Sequence, residues 1–213
     1  MVLNNAKLEK MSKIRDDFNE IGAFLAEKLK LKNFPHRIEC YDISHIQGTN
    51  TVASMVTFIN GLSKKSAYKK FRIRFAEGKP DDFLSMKEVL TRRLKRLGED
   101  NWEKPDLIII DGGKGQLSSV MQIVKELSDT SLRGVSEAND VASQNPDLGI
   151  DFVSLAKREE EIFLPNNSTS VVLPKNSSAL FLFQRIRDEA HRFAITYHRK
   201  LRSKEISNKQ MTK

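Results

Sequence analysis

The chain has a single cysteine, Cys40, in 213 residues. No internal disulfide is possible, so a hydrophobic core must hold the fold, and a reducing cytoplasm is the expected setting. No apolar run approaches the roughly 18 residues that a membrane span needs. Met1 to Lys13 is mixed polar without an apolar stretch, so no secretion signal is visible. No internal repeat is present. The expectation is a cytoplasmic protein with no membrane partner.

What the chain has in quantity is charge. Lys and Arg total 36 against 28 Asp and Glu, a formal charge of +8. A basic excess on one domain favours a polyanionic partner, most often nucleic acid. Hydrophobic residues make up 39% and charged residues 30%, as in ordinary globular proteins. The length suits one domain, or one domain plus an arm, and buries a core without staples.

Leu8, Met11, Ile14, Phe18, Ile21, Leu25 and Leu29 recur at steps of three or four and predict a helix over residues 1–31, a linker or packing helix. Asn33-Phe34-Pro35 ends it. Strands are expected at 37–44, 51–59 and 68–75. Asn60-Gly61 is a hairpin signal. In the third strand, Phe71, Ile73 and Phe75 alternate with Lys70, Arg72 and Arg74, an apolar face against a basic one. Asp81 or Asp82 caps a helix to about Leu97, with Phe83, Met86, Val89, Leu90 and Leu94 inward. Leu107-Ile108-Ile109-Ile110 reads as a central strand buried on both faces.

A helix over 116–127 follows, then a Ser-, Asn-, Asp- and Gly-rich stretch, 128–150, read as a flexible insertion. A strand at 151–156, a hairpin at 161–164 and 170–173, and a helix over 178–202 complete the domain, 32–204. Residues 205–213 read as a loose polar tail. Three meandering strands followed by crossover helices imply an α/β fold, a mixed sheet with helices on both faces. That is the element order of the ribonuclease H fold.

Asp42 lies near the end of the first strand and Asp111 at the end of the fourth. Ligands sit at the carboxyl ends of strands in such sheets. A carboxylate straight after Leu-Ile-Ile-Ile is poorly explained by packing. If the two strands are neighbours, the carboxylates converge, and two hard oxygen ligands suit Mg²⁺ or Mn²⁺. Read singly, each aspartate is also consistent with a turn or a cap. Gly112, Gly113, Lys114 and Gln116 form a glycine-rich turn able to approach a phosphate. It is not a Walker A loop. His191, three residues after Asp188 on a half-buried helix, is either a surface histidine or a ligand; its surroundings alone leave both open. His45 and His198 rank lower, and His36 precedes the sheet. Asp82 reads as a helix cap that also has reach toward the strand ends. Arg92, Arg93, Arg185, Arg187, Arg192 and Arg199 are candidate phosphate contacts.

Taken together, several blocks resemble the nuclease half of UvrC, the excinuclease ABC subunit family. They are Tyr41-Asp42-Ile43-Ser44-His45-Ile46-Gln47-Gly48, Thr51-Val52-Ala53-Ser54, Asp81-Asp82-Phe83, Leu90-Thr91-Arg92-Arg93, Pro105 through Leu117, and Gln184 through Ile195. The resemblance runs from about residue 1 to 204. It implies a ribonuclease H-like endonuclease that makes the 5′ incision beside a lesion. It also implies a triad of Asp42, Asp111 and His191, with Asp82 as a further functional acid. The family's GIY-YIG nuclease, its segment for the helicase subunit UvrB and its helix-hairpin-helix module have no counterpart in this sequence. The expectation is therefore one cutting centre of a two-cut enzyme, acting on damaged duplex DNA and meeting UvrB through a full-length parent. The competing expectations are a ribonuclease H-like binding module that does not cut, or another nuclease of the same fold such as a junction resolvase.

Overall fold

The computed structural model describes residues 2–45, 51–73, 82–132, 148–157 and 159–211, with side chains for 15–43, 52–73, 82–127, 148–157 and 159–196. The side chains of Arg74, His45, His198 and Arg199, the whole of Asp81, and residues 133–147 of the expected insertion lie outside these.

Helix α1 spans Val2–Lys28. Strands β1 (Arg37–His45) and β2 (Thr51–Ile59) pair antiparallel. Asn60 and Gly61, both at positive φ, turn the chain into a two-residue strand β3 (Leu62–Ser63) that the spacing did not predict. Strand β4 (Lys69–Arg72) also pairs with β2, and is shorter than the expected 68–75. Helix α2 (Asp82–Leu94) stops earlier than expected, in a run of turns that ends at Gly98 with φ +86°. Strand β5 (Leu107–Asp111) leads into helix α3 (Lys114–Leu132), which extends into the stretch read as insertion. Strands β6 (Asp151–Ala156), β7 (Glu161–Phe163) and β8 (Val171–Val172) precede helix α4 (Ser178–Met211). Helix α4 runs beyond Arg202 and through most of the 205–213 segment read as tail.

The strand order is β3-β2-β1-β5-β6-β7-β8, with β4 beside β2. Strands β1, β5 and β6 are parallel and the other pairs antiparallel. This is the mixed α/β sheet that the element order implies. Period-two alternation divides the core between its faces. Ile38, Cys40, Leu107, Ile109, Val153 and Leu155 pack with Phe18 and Leu25 of α1 and Phe183, Ile186 and Ala190 of α4. Tyr41, Ile108, Ile110 and Phe152 face the other way, onto Met86, Val89 and Leu90 of α2 and Leu117, Val120 and Ile123 of α3. Leu107 through Ile110 are all fully buried. Burial of each such side chain contributes about 1.5–3 kcal/mol, so β5 is the anchored centre of the sheet.

Asp106 sets the register of β1 on β5. Its Oδ2 accepts the Arg37 amide at 2.7 Å, and its own amide donates to the Arg37 carbonyl at 2.9 Å. From there the parallel pairs run Ile38 with Leu107 to Tyr41 with Ile110. A slip of one residue would turn every side chain of β1 to the opposite face. Among the described residues, no helix is long and apolar enough to cross a membrane.

Candidate active site

Three side-chain rows on the α4 face run out of the core at the same end of the sheet. Ile38 and Cys40 continue to Asp42, Leu107 and Ile109 to Asp111, and Val153 and Leu155 to Lys157. The last paired residues of β1 and β5 are Tyr41 and Ile110, so Asp42 and Asp111 come one step later on neighbouring strands. The juxtaposition therefore follows from parallel pairing and shared register. Asp42 is 6% exposed, and the Asp111 side chain 2%.

Helix α4 supplies the opposite wall. Its buried stripe includes the small residue Ala190, which lets the helix approach β2 closely enough for Ser54 Oγ to donate to the Ala190 carbonyl at 3.4 Å. That places His191 at the rim, with Nδ1 4.0 Å from Asp42 Oδ1. Arg187, one turn earlier, is held by Glu160 at 2.8 Å. Asp111, Lys157, Arg187, Asp188 and His191 line a cleft of about 300 Å³.

Asp111 is the electrostatic anomaly of this cleft. Lys157 Nζ approaches its Oδ2 to 3.2 Å as an ion pair. Yet, among the described residues, neither carboxylate oxygen has a hydrogen-bond partner of proper geometry. Burial raises its carboxyl above the ordinary value. Lys157 pulls it down, Asp42 pushes it up again, and Arg187 lowers it. Cys40, directly beneath, is pushed well up by burial and then by the charges of Asp111 and Asp42. Buried carboxylate oxygens are normally hydrogen-bonded, and unsatisfied ones mark an external partner or a functional site. Two carboxylates and an imidazole are an oxygen-rich donor set that fits a hard divalent cation. Among the described residues, no three such donors already close on one point. The pair of aspartates is assembled, and the histidine stands off at the rim.

The remaining sequence candidates divide. Asp82 is exposed at the start of α2 and lines a second cleft with Ile43, Phe83, Gly115 and Gln116, a lining that includes neither Asp111 nor His191. Lys114 donates to the Ser168 carbonyl at 3.3 Å, in a third cleft between α3 and the β7–β8 turn. The Gln116 side chain folds beneath Gly112 and occupies the space that a Cβ there would need. Arg92 is half-exposed, donating to Glu88 and to the Arg72 carbonyl. Arg192 is paired with Glu189. Arg185 donates to the Gly61 carbonyl and stacks over Phe58.

Arg93 requires a correction. Expected on a phosphate-facing patch, it is fully buried and clamps Glu39 with two hydrogen bonds, at 2.9 and 2.8 Å. It therefore touches no phosphate. The helical pattern puts it one residue from Arg92, and 100° of helix rotation carries it from solvent into the core.

A larger concavity, about 610 Å³, lies elsewhere, between the β2–β3 hairpin and α4. It shares only Asp188 with the carboxylate cleft. The chemistry follows the carboxylates rather than the volume, because that groove holds no unsatisfied buried acid among the described residues. Sequence reasoning missed Lys157. The signal was present, since Val153, Leu155 and Lys157 repeat at period two just as Ile109 and Asp111 do.

The Gly112 geometry makes a prediction. Gly112→Ala displaces the Gln116 side chain and costs roughly 1 kcal/mol in urea unfolding. Gly112→Ala with Gln116→Ala restores most of it. A double variant no more stable than the single one would show that Gln116 is not the obstacle.

Comparison with known proteins identifies the family. Residues 26–195 match the UvrC RNAse H endonuclease domain family. UvrABC system protein C of Gloeobacter violaceus is 47% identical over 191 residues, covering 88% of this chain and 28% of that protein. The Nostoc sp. protein of the same name is 42% identical over 223 residues, covering 99% and 33%. The chain thus spans about a third or less of these relatives. A Ciona intestinalis endonuclease V structure, in complex with an inosine-containing 24mer DNA, aligns loosely, with a TM-score of 0.37, 13% identity and coverage of 87% and 69%. By the extent of the family match and the identity of its relatives, the chain belongs to the UvrC RNase H endonuclease domain family.

Proposed function

We propose that this domain hydrolyses a phosphodiester of damaged duplex DNA, making the 5′ incision of nucleotide excision repair, with Mg²⁺ or Mn²⁺ held by Asp42 and Asp111. The observation that carries the reading is the pair of carboxylates at the ends of adjacent parallel strands, one with both oxygens buried and without a hydrogen-bond partner among the described residues. When bound, the cation lowers the pKa of a water and neutralises the phosphate.

The chain's own residues do the rest. Asp42 and Asp111 present oxygens from a rigid sheet, so little ordering cost is met at the moment of reaction. His191, at the rim and near Asp42, completes the donor set or carries a proton between water and the leaving oxygen. Arg187, fixed by Glu160, gives the cleft a positive wall for a phosphate. Lys114 and the backbone of Gly112 and Gly113 hold a phosphate flanking the scissile one. Asp82 serves as an accessory acid on its neighbouring cleft. Contact with UvrB belongs to the longer parent, and a DNA-repair nuclease with one buried thiol suits the cytoplasm.

Nicking of supercoiled plasmid is the test. Wild type converts it to open circle in Mg²⁺ or Mn²⁺ and not in EDTA. Asp42→Asn cuts at least about 10²-fold more slowly. Equal cutting by both proteins would remove Asp42 from the site.

A further inference from the structure

Lys157 has no place in the triad, yet it forms an ion pair with Asp111. Its ammonium lies 3.2 Å from Asp111 Oδ2, while its side chain remains 64% exposed. It arrives from the end of β6, whose parallel register sets Asp111 opposite Leu155, two residues earlier in the same row. The carboxylate it meets is buried and has no other partner among the described residues. The cleft it enters also holds Arg187, Asp188 and His191.

This combination is unequal. The carboxylate has almost no water to turn to, whereas the ammonium loses little by leaving, because an exposed lysine holds its partner weakly and pays side-chain entropy to do so. A structural ion pair would fix both partners. Here only one is fixed. Arg187 in the same cleft provides the contrast, since Glu160 pins it and it has little freedom to exchange.

We propose that Lys157 is a tethered place-holder cation. It occupies the outer oxygen of Asp111 until a divalent cation takes that position, and then moves into the cleft to face the substrate phosphate. The proposal rests on the metal reading above and adds a residue to it. Lys157 keeps two like-charged carboxylates compatible with folding in the absence of metal, at the expense of metal affinity. No bond is made or broken in this exchange. The ammonium stays protonated throughout and trades a carboxylate oxygen for a phosphate oxygen.

The test is calorimetric titration of the folded, DNA-free protein with Mn²⁺ at pH 8. Wild type is compared with Lys157→Met, which keeps the stem and loses the charge, Lys157→Arg, which keeps a charge, and Asp111→Asn. Lys157→Met is expected to bind Mn²⁺ roughly 5- to 10-fold more tightly, about 1–1.4 kcal/mol. Lys157→Arg stays near wild type. In saturating Mn²⁺, Lys157→Met nicks plasmid at least about 10-fold more slowly. Tighter metal binding with slower cutting is the signature, and a residue that merely shores up the fold would not produce it.

Asp111-dependent Mn²⁺ binding whose affinity Lys157→Met leaves unchanged or weakens overturns the place-holder role alone. Slower cutting is then attributed to Lys157 as a phosphate contact only. If wild type and Asp111→Asn take up Mn²⁺ alike, the metal reading fails, and the place-holder falls with it.

Discussion

Asp111→Asn is expected to cut DNA at least about 10³-fold more slowly and yet to be more stable than wild type in EDTA. The first effect follows from the proposed loss of a charged oxygen donor at the reacting centre. The second follows from the cost of keeping that charge. Both oxygens of Asp111 are buried without a hydrogen-bond partner among the described residues, and burial raises its carboxyl above the ordinary value. The folded protein therefore binds this proton more tightly than the unfolded chain. The stability so gained is fully present below the unfolded pKa and is lost as pH rises through the raised folded value. A neutral amide escapes that loss, with a gain of roughly 0.5–2 kcal/mol at neutral pH.

The measurement is thermal unfolding of both proteins in EDTA across acid to neutral pH. The advantage of Asp111→Asn should grow as pH rises. A gap that is constant with pH, or a variant less stable than wild type at pH 7, would show that Lys157 fully satisfies the carboxylate. Added Mn²⁺ should raise the melting temperature of wild type and leave Asp111→Asn unchanged, because a ligand that binds only the folded state stabilises it by mass action.

The second large effect lies on the opposite face of the sheet. Arg93→Met should destabilise the domain by about 2–4 kcal/mol, since it leaves the fully buried Glu39 carboxylate without its two-pronged clamp and with Arg37 Nε at 3.3 Å as the cation still beside it. The Glu39 carboxylate receives Arg93 Nε at 2.9 Å and Nη2 at 2.8 Å, and the Tyr41 hydroxyl at 2.8 Å. Arg93 also donates to the Glu103 carbonyl at 2.6 Å. The network ties α2 to β1 one residue below Cys40.

Arg93→Met with Glu39→Leu should recover most of the loss, because an apolar pair of similar volume needs no desolvated charge. Urea midpoints of the three variants decide this. A single variant within about 1 kcal/mol of wild type would mean that Arg37, whose Nε lies 3.3 Å from Glu39 Oε1, compensates the carboxylate by itself. Nicking per folded molecule should change little in either variant, since Glu39 and Asp42 point to opposite sides of β1.

Much of this architecture is legible one element at a time. Alternation in 37–44, the apolar run before Asp111, and the helical stripe from Phe183 through Ala190 each reflect a local periodicity that burial enforces. The glycine-rich turn after Asp111 is legible for a similar reason, because Gly112 leaves room for the Gln116 side chain. The position of helix ends was less legible. Gly98 with its positive φ, and not the apolar pattern, marks the end of the turns that follow α2.

What the sequence determined by itself was most of the elements, the two aspartates at strand ends and the basic character of the chain. Composition and periodicity are properties of neighbours along the chain, and they survive without knowledge of the fold. Tertiary structure alone decided which charges meet. Arg92 and Arg93 are adjacent in sequence, yet one faces solvent and the other is sealed in the core with Glu39. Lys157 looks like any exposed lysine until parallel pairing of β5 with β6 brings it to Asp111. His191 gains its place beside Asp42 because Ala190 lets α4 settle on the sheet. Asp82, close to the others in the order of motifs, lies in a different cleft. The opening of this site depends on three rows of side chains leaving the core together, which a register set at Asp106 makes possible.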